Sequence, residues 1–280
     1  MSDPKIFIFG SSGFVGSELV KFLSADPKVS TVGRNGEDIF FDLRMSAPYD
    51  LDHKVGVGDT WVFLAAISSP DTCAALPDIA FDTNVTKTIQ LINWLSGKGV
   101  RVIFSSTDGV FGSKDGIAYD EDQLQPLGSY AVMKASVEKS FFNNNLVKVI
   151  RLSYVVGRND KFSKMLHEAA GSNTIVDVFL GFERCVVRLN DVLEGIKILI
   201  EKWDEFDFNV VNFCGPSLTD RGELVRALKK DVFPELEFKV SEAPSDFWDN
   251  RVKRIHVGCK NFSTILGRKP QGLESLNKDW

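Results

Sequence analysis

Cysteine and histidine are scarce in this chain of 280 residues, which contains four of the first and three of the second. The cysteines lie far apart in the sequence without a Cys-x-x-Cys pair, and the histidines show no ligand spacing. These residues are Cys73, Cys185, Cys214, Cys259, His53, His167 and His256. Structural zinc sites need closely spaced ligands of these two types. We therefore expect no structural metal.

Long apolar runs and basic runs are also lacking. No stretch approaches the roughly 20 apolar residues that span a bilayer, and the N-terminus shows no basic leader or cleavage site. The net charge is -5, and Lys and Arg are scattered, which argues against a nucleic-acid surface. With 44% hydrophobic residues, the chain can bury a large core. We predict a globular cytoplasmic protein with neither a membrane nor a nucleic-acid partner.

A glycine-rich turn follows the first apolar segment. Ile6 to Phe9 is typical of a parallel strand that is buried on both faces, and a helical pattern begins after the turn. Backbone N–H groups at the start of such a helix bind pyrophosphate. We predict that a dinucleotide contacts Gly10, Ser11, Ser12, Gly13, Phe14, Val15 and Gly16. A glycine turn without a ligand is the alternative.

The residues after the second predicted strand, Val29 to Val32, bear on the type of dinucleotide. An acidic residue at this point binds a ribose 2′-OH, whereas an arginine accommodates a 2′-phosphate. The chain has Arg34 and no carboxylate before Glu37. This pattern favours NADP over NAD, although Arg34 as a solvated turn residue is the other interpretation.

Strands alternate with helices in the first half of the chain. Further strands are predicted at 39–41, 61–64, 100–104 and 147–152, and one long helix is predicted from Pro77 to Leu95. This order specifies a doubly wound parallel α/β sheet. Ligands bind at the carboxyl ends of such strands. The residues expected there are Asp42, Leu43, Leu64, Ala65, Ala66, Ser105, Ser106, Thr107 and Asp108.

Tyr130 and Lys134 are four residues apart, so on a helix they lie on one face. A nearby ammonium favours the phenolate and lowers the pKa of a tyrosine. Together with a hydroxyl donor such as Thr107, this pair predicts a site for general acid/base chemistry. A Tyr-x-x-x-Lys spacing also arises by accident, and an ordinary surface pair is the alternative.

In their order, the motifs of the chain resemble an extended short-chain dehydrogenase/reductase of the NAD-dependent epimerase/dehydratase group. The motifs are Gly10-x-x-Gly13-x-x-Gly16, Asp42-Leu43, Leu64-Ala65-Ala66, Asn84-Val85, Ser105-Ser106-Thr107-x-x-Val110-Phe111-Gly112, Tyr130-x-x-x-Lys134 and Arg151-Leu152-Ser153. The resemblance implies a Rossmann-type domain over 1–155 and a smaller, continuous substrate-binding α/β lobe over 156–280. It implies catalytic roles for Thr107, Tyr130 and Lys134. It also implies cofactor contacts from Asn84, Ser105, Tyr130 and Lys134.

The C-terminal lobe of this family binds a nucleotide-diphosphate sugar, and guanidinium groups match the geometry of a diphosphate. The candidates for substrate binding are Asp108, Arg184, Arg188, Arg221 and Arg251. Each arginine alone is better explained as a surface residue. A homodimer is one candidate assembly.

The residues after Thr107 narrow the reaction. Dehydratases of the family have Asp and then Glu at this point, whereas this chain has Asp108 and then Gly109, which lacks the base for elimination. The run from Thr107 to Phe111 closely resembles the dTDP-4-dehydrorhamnose reductase type. We therefore expect an NADP(H)-dependent reductase of a nucleotide-linked keto-(deoxy)sugar in nucleotide-sugar or surface-polysaccharide biosynthesis. The alternatives are a 4-epimerase that retains NAD and a non-catalytic, nucleotide-binding regulatory subunit.

Overall fold

The computed structural model describes residues 3–249 and 251–280. Its helices are α1 Phe14–Phe22, α2 Pro70–Ala75, α3 Pro77–Phe81, α4 Thr88–Gly97, α5 Ser129–Phe141, α6 Lys161–Ser172, α7 Leu189–Glu201, α8 Arg221–Asp231 and α9 Lys260–Leu266. Its strands are β1 Ile6–Phe9, β2 Val29–Gly33, β3 Ile39–Phe40, β4 Thr60–Phe63, β5 Arg101–Thr107, β6 Val147–Leu152, β7 Val155–Val156, β8 Val176–Phe179, β9 Glu183–Arg184, β10 Val187–Arg188, β11 Val210–Phe213, β12 Thr219–Asp220, β13 Phe238–Ser241 and β14 Arg254–Ile255.

Seven strands form one parallel sheet in the order β11-β6-β5-β4-β1-β2-β3. The chain moves outward from β1 to β3, returns to β4 on the other side of β1 and continues to β11. This reversal is the arrangement of a doubly wound Rossmann sheet, in which ligands bind at the switch point. The predicted fold class is confirmed.

The two faces of the sheet bury separate clusters of side chains because successive residues of a strand point to opposite faces. Ile6 and Ile8 of β1 pack with α1, α7 and α9. Phe7 and Phe9 of the same strand pack with α4 and α5. Helices therefore cover both faces, as the apolar strands predict.

The predicted long helix over Pro77 to Leu95 is present, and its middle part is π-helical instead of α-helical. Residues Asp82–Lys87 form a π-helical segment between α3 and α4. Such segments are rare and occur mostly at functional sites. Here the segment carries Asn84, whose amide bonds to the loop after β4.

The second half of the chain builds small sheets at the carboxyl end of the large one. β12, β9 and β14 form one, β8 pairs with β13, and β7 pairs with β10. Strand β11, however, belongs to the large sheet. The division at residue 155 stays a prediction, and the sheet itself takes a strand from beyond that point.

Two helix ends in the second half of the chain show standard caps. Asp220 caps α8, with Glu223 completing a capping box. α9 ends at Gly267, where a φ of +65° suits glycine. Among the described residues, no helix is long and apolar enough to cross a membrane.

Candidate active site

A cavity of about 820 Å³ lies at the carboxyl ends of the central strands. Most residues predicted to contact a cofactor line it: Gly10, Ser12, Gly13, Phe14, Val15, Gly16, Arg34, Asp42, Leu43, Leu64, Ala65, Ala66, Ser105 and Tyr130. The predicted contacts Ser11, Asn84 and Lys134 are buried instead in the layer behind this surface.

The glycine turn is shaped so that side chains do not fit. Gly10 has a φ of +91°, and a Cβ on it would lie 2.7 Å from the backbone nitrogen of Ala65. A Cβ on Gly16 would lie 2.2 Å from the carbonyl oxygen of Gly10. Gly13 precedes α1, and within the described residues no side chain caps this helix end. The turn therefore offers free backbone N–H groups to an anion, which fits a dinucleotide pyrophosphate.

The far end of the cavity holds two arginines around one buried carboxylate. Arg44 donates to Asp42 from Nε at 3.2 Å and from Nη2 at 3.0 Å, and Arg34 Nη1 lies 4.0 Å from Asp42 Oδ2. The hydrogen bonds from Arg44, followed by its charge and that of Arg34, hold the pKa of Asp42 below its usual range. Sequence reasoning missed Arg44, although it stands one residue after the Asp42-Leu43 motif.

A carboxylate also lies close to the tip of β2. Glu37 accepts a hydrogen bond of 2.5 Å from the backbone nitrogen of Asn35. Its Oε1 would be 2.6 Å from a Cβ on Gly33. Both Gly33 and Asn35 line the cavity. The order of residues in the sequence did not show that the turn after β2 brings Glu37 back to the end of that strand.

Thr107 and Tyr130 line this cavity and also a second cavity of about 260 Å³. Thr107 ends β5, and Tyr130 lies in the first turn of α5. Lys134, one turn further along α5, donates from Nζ to the carbonyl oxygen of Ser105 at 2.7 Å. The three predicted catalytic residues are therefore brought together, with Thr107 and Tyr130 at the boundary between the two cavities.

Burial, rather than the nearby ammonium, dominates the ionisation of Tyr130. Desolvation raises the pKa of Tyr130, and Cys73 adds to the effect. Lys134 Nζ lies 5.7 Å from the centre of the tyrosine ring and 4.5 Å from that of Phe104. Desolvation lowers the pKa of Lys134 to about 7, against the opposing charges of Glu138 and Cys73. The expectation that Lys134 lowers the pKa of Tyr130 is wrong for the protein without ligand.

Asn84 holds the loop after β4. Its Oδ1 accepts from the backbone nitrogen of Ile67 at 2.9 Å, and its Nδ2 donates to the carbonyl oxygen of Ile67 at 2.9 Å. Ile67 itself lines the larger cavity. Asn84 thus shapes the wall of the cavity from behind, and a direct cofactor contact from it stays a prediction.

The second cavity is bounded by Asp108, Arg184 and Arg251. Asp108 accepts from Ser153 Oγ at 2.7 Å, and Arg184 Nε lies 3.9 Å away. Burial raises the pKa of Asp108 despite Arg184. The carboxyl group therefore lines the second cavity next to Thr107, and substrate binding by Asp108 stays a prediction.

The four predicted arginines differ in what surrounds them. Arg184 donates to the carbonyl oxygens of Glu183, Val252 and Lys253. Arg188 donates to the carbonyl oxygen of Glu274 at 3.1 Å and lines none of the described cavities. Both are thus engaged in holding the backbone.

Arg221 and Arg251 are arranged differently. The guanidinium of Arg221 lies between two aromatic rings, 4.6 Å from Phe162 and 4.4 Å from Phe182. Arg251 bonds Asp71 at 2.6 Å. Aromatic stacking leaves the edges of a guanidinium open to an anion. Sequence reasoning missed Phe162 and Phe182, and it also missed Tyr154, which lines both cavities directly after the Arg151-Leu152-Ser153 motif.

Three of the four cysteines, distant in sequence, come together beneath the second cavity. Val257 accepts from Cys185 and Cys214 through its carbonyl oxygen, and Cys259 packs in the same cluster. Within residues 3–249 and 251–280, no group of three or more His, Cys, Asp or Glu side chains is arranged to hold a metal.

The chain belongs to the NAD dependent epimerase/dehydratase family, whose model matches residues 6–172. A "dTDP-4-dehydrorhamnose reductase" of Sinorhizobium fredii (strain NBRC 101917 / NGR234) is 26% identical over 201 residues, which are 71% of this chain and 67% of that protein. "Methionine adenosyltransferase 2 subunit beta" of Rattus norvegicus is 28% identical over 147 residues, half of this chain and 44% of that protein.

Solved structures share the fold along its whole length. "MoeE5 in complex with UDP-glucuronic acid and NAD" has a TM-score of 0.80 at 22% identity and covers 97% of this chain and 96% of its own. "UDP-N-acetylglucosamine 4-epimerase from Methanobrevibacter ruminantium M1 in complex with UDP-N-acetylmuramic acid" has a TM-score of 0.81 at 20% identity and covers 100% and 97%. The predicted family and its NAD-dependent enzyme class are confirmed.

Proposed function

We propose that this protein is an NADP(H)-dependent reductase of a nucleotide-linked keto-sugar, acting in nucleotide-sugar or surface-polysaccharide biosynthesis. The observation that carries the proposal is the position of Thr107 and Tyr130 on the wall shared by the two cavities. A proton donor between a dinucleotide site and a substrate site is what carbonyl reduction requires. The similarity to a dehydrorhamnose reductase supports it.

The roles of the residues follow from their chemistry. When bound, the dinucleotide supplies the hydride. The buried Tyr130 phenol donates its proton to the carbonyl oxygen, and the hydroxyl of Thr107 holds the same oxygen. Lys134, whose ammonium lies behind the cavity wall 5.7 Å from the ring centre of Tyr130, would bind the nicotinamide ribose, as the family resemblance implies. The glycine turn and the small residues Ala65 and Ala66 would hold the rest of the cofactor.

Elimination of water is less well supported by the second cavity. Among the described residues that line it, Asp108 is the only carboxyl group. Asp108 is already bonded to Ser153, and Gly109 supplies no base. Reduction needs only the donor Tyr130, so it is the simpler reaction for this set of groups.

The substrate is proposed to be a nucleotide-diphosphate sugar. Arg221 is the candidate for the diphosphate, since Arg184, Arg188 and Arg251 are each bonded to a backbone carbonyl group, Arg251 to that of Phe247 at 3.1 Å. The similar structures with UDP-sugars are consistent with this class.

NADP is proposed as the cofactor on the basis of Arg34, with Arg44 as a second guanidinium at the same end of the cavity. A second candidate function is a 4-epimerase that retains NAD. The carboxylate of Glu37 near Gly33 and Asn35 favours it, because a carboxylate suits a free ribose hydroxyl and repels a phosphate.

One experiment separates these functions from a non-catalytic subunit, the third alternative; the 28% identical relative is named as a subunit. The absorbance of the purified protein is recorded before and after addition of NADPH and a panel of keto-sugar nucleotides. Oxidation of NADPH supports the reductase, retained NAD supports the epimerase, and a protein that is inert and holds no NAD supports the non-catalytic subunit. A cytoplasmic location and a homodimer are part of the proposal and are tested by fractionation and by light scattering.

A further inference from the structure

Two successive turns of α5 are bonded to consecutive residues of β5. Lys134 donates to the carbonyl oxygen of Ser105 at 2.7 Å. Glu138, four residues later on the same face, accepts from the hydroxyl of Ser106. These bonds prevent α5 from sliding along β5 and from rotating about its own axis. Tyr130, one turn before Lys134, is thereby held beside Thr107.

The carboxylate of Glu138 is fully bonded in a buried position. Its side chain is 4% exposed, and that of Arg151 is 5% exposed. Arg151 donates to Glu138 Oε2 from Nε at 3.0 Å and from Nη2 at 2.8 Å, while Oε1 accepts from Ser106. Three donors therefore hold both oxygens of this carboxylate in place.

Glu138 is the group that opposes the loss of the Lys134 proton most strongly. Burial disfavours the ammonium, and the charge of Glu138, followed by that of Cys73 on α2, favours it. Tyr130 and the ring of Phe104 are the other groups that face Lys134. Arg151 binds Glu138 and also donates to the carbonyl oxygen of Asp120 at 2.8 Å. The charge state of Lys134 therefore depends on a residue outside both cavities.

We propose that Glu138 is a positioning residue of the active site, which keeps Lys134 in its ammonium form and holds α5 in register with β5. The inference rests on the proposed roles of Lys134 and Tyr130. It assigns to the buried pair of Glu138 and Arg151 an electrostatic role toward Lys134 beyond the packing of the helix.

The first test is independent of turnover. A lysine with a folded-state pKa near 7, against 10.5 ordinarily, makes the unfolded state bind more protons between these values. Stability therefore rises with pH across that window. Glu138→Gln removes the charge that favours the ammonium, so the pKa of Lys134 in the folded state should fall. The rise of stability with pH should therefore begin about one pH unit or more below its onset in wild type. Urea unfolding of the full chain between pH 5 and pH 9 measures the onset.

Ser106→Ala is the matched control, because it removes a hydrogen bond to Glu138 and keeps the charge. Its onset should match that of wild type. Removing one partner of a buried ion pair is strongly destabilising. If Glu138→Gln does not fold, the double variant Glu138→Gln with Arg151→Met removes both charges and should show the same lowered onset. An onset equal to wild type in the folded charge-free variant overturns the proposal.

The second test uses the pH–rate profile with NADPH and a keto-sugar nucleotide. In Glu138→Gln, the alkaline limb of the profile should shift to lower pH by the same interval as the onset of the stability rise. Ser106→Ala should leave the pH of this limb unchanged and lower kcat only. Loss of rate in Glu138→Gln without movement of the limb contradicts the electrostatic role. A wild-type protein that turns over none of the substrates, yet shows the shifted unfolding onset in the variant, refutes the proposed function and leaves the role of Glu138 standing.

Discussion

Lys134 Nζ lies 5.7 Å from the ring centre of Tyr130, and its hydrogen bond goes to the backbone of Ser105. The ammonium therefore stands behind the phenol without bonding to it. Burial raises the pKa of Tyr130, so the phenol holds its proton at neutral pH. A protonated phenol is the form that reduction of a ketone consumes, and this state fits the proposed direction of the reaction.

The first prediction concerns the proton donor. Tyr130→Phe removes the hydroxyl and keeps the ring, so turnover should fall by about 100-fold or more, the usual contribution of general acid catalysis. Cofactor binding should be largely retained. Steady-state rates and a cofactor titration measure the two effects. Tyr119→Phe is the matched control, since Tyr119 is 47% exposed and lines neither described cavity. Near-normal turnover in Tyr130→Phe would remove this residue from the mechanism.

The second prediction concerns the choice of dinucleotide. A guanidinium that binds a 2′-phosphate contributes about 1.5–3 kcal/mol, so Arg34→Ala should weaken NADPH binding roughly 10- to 150-fold and change NADH binding only a few-fold. Fluorescence titration with both reduced cofactors measures this. Arg254→Ala is the control, because Arg254 pairs with Glu183 away from the cavity. Equal losses for both cofactors, or tighter NADH binding by wild type, would favour the epimerase.

The parallel sheet and most of the residues that line the larger cavity followed from the sequence because local patterns determine them. Ile6 to Phe9 and the glycines after it specify a strand, a turn and a helix by their own conformational preferences, and each is observed. No distant residue is needed to reach these conclusions.

The features that were missed depend on residues far apart in the chain. Arg188 lies in a motif-like segment, but its neighbour is Glu274, 86 residues away. The stacking of Arg221 on Phe162 and Phe182 likewise arises only when α6, α8 and the segment before β9 meet. The pKa of Tyr130 was misjudged because spacing on a helix shows which groups are near but not how deeply they are buried.

The third prediction is a pH dependence of stability. Burial raises the pKa of Asp120 to about 6 from its usual 3.8, so the folded state keeps this proton while the unfolded chain loses it. Stability therefore falls as pH rises through that window. Asp120→Asn does not ionise, and relative to wild type it should gain about 2–3 kcal/mol between pH 4 and pH 7. Urea unfolding across this range measures the difference.

Asp122→Asn is the control for this series. Hydrogen bonds from Lys114 and from the backbone of Tyr119 lower the pKa of Asp122. The ionised Asp122 therefore stabilises the folded state at neutral pH, and this stabilisation is lost as pH falls. Relative to wild type, Asp122→Asn should lose stability as pH rises, whereas Asp120→Asn should gain it. A difference between wild type and Asp120→Asn that does not vary with pH would contradict the assignment to Asp120.

The last prediction separates a ligand-binding arginine from a structural one. Arg221 is held by the rings of Phe162 and Phe182, which leaves its donors available for a diphosphate, whereas Arg188 donates to the backbone at Glu274. Arg221→Ala should raise KM for the sugar nucleotide about 10- to 150-fold, the loss expected for hydrogen bonds to a charged group. Arg188→Ala should lower the melting temperature and leave KM within a few-fold. If KM instead rises in Arg188→Ala and not in Arg221→Ala, the diphosphate site is not at Arg221.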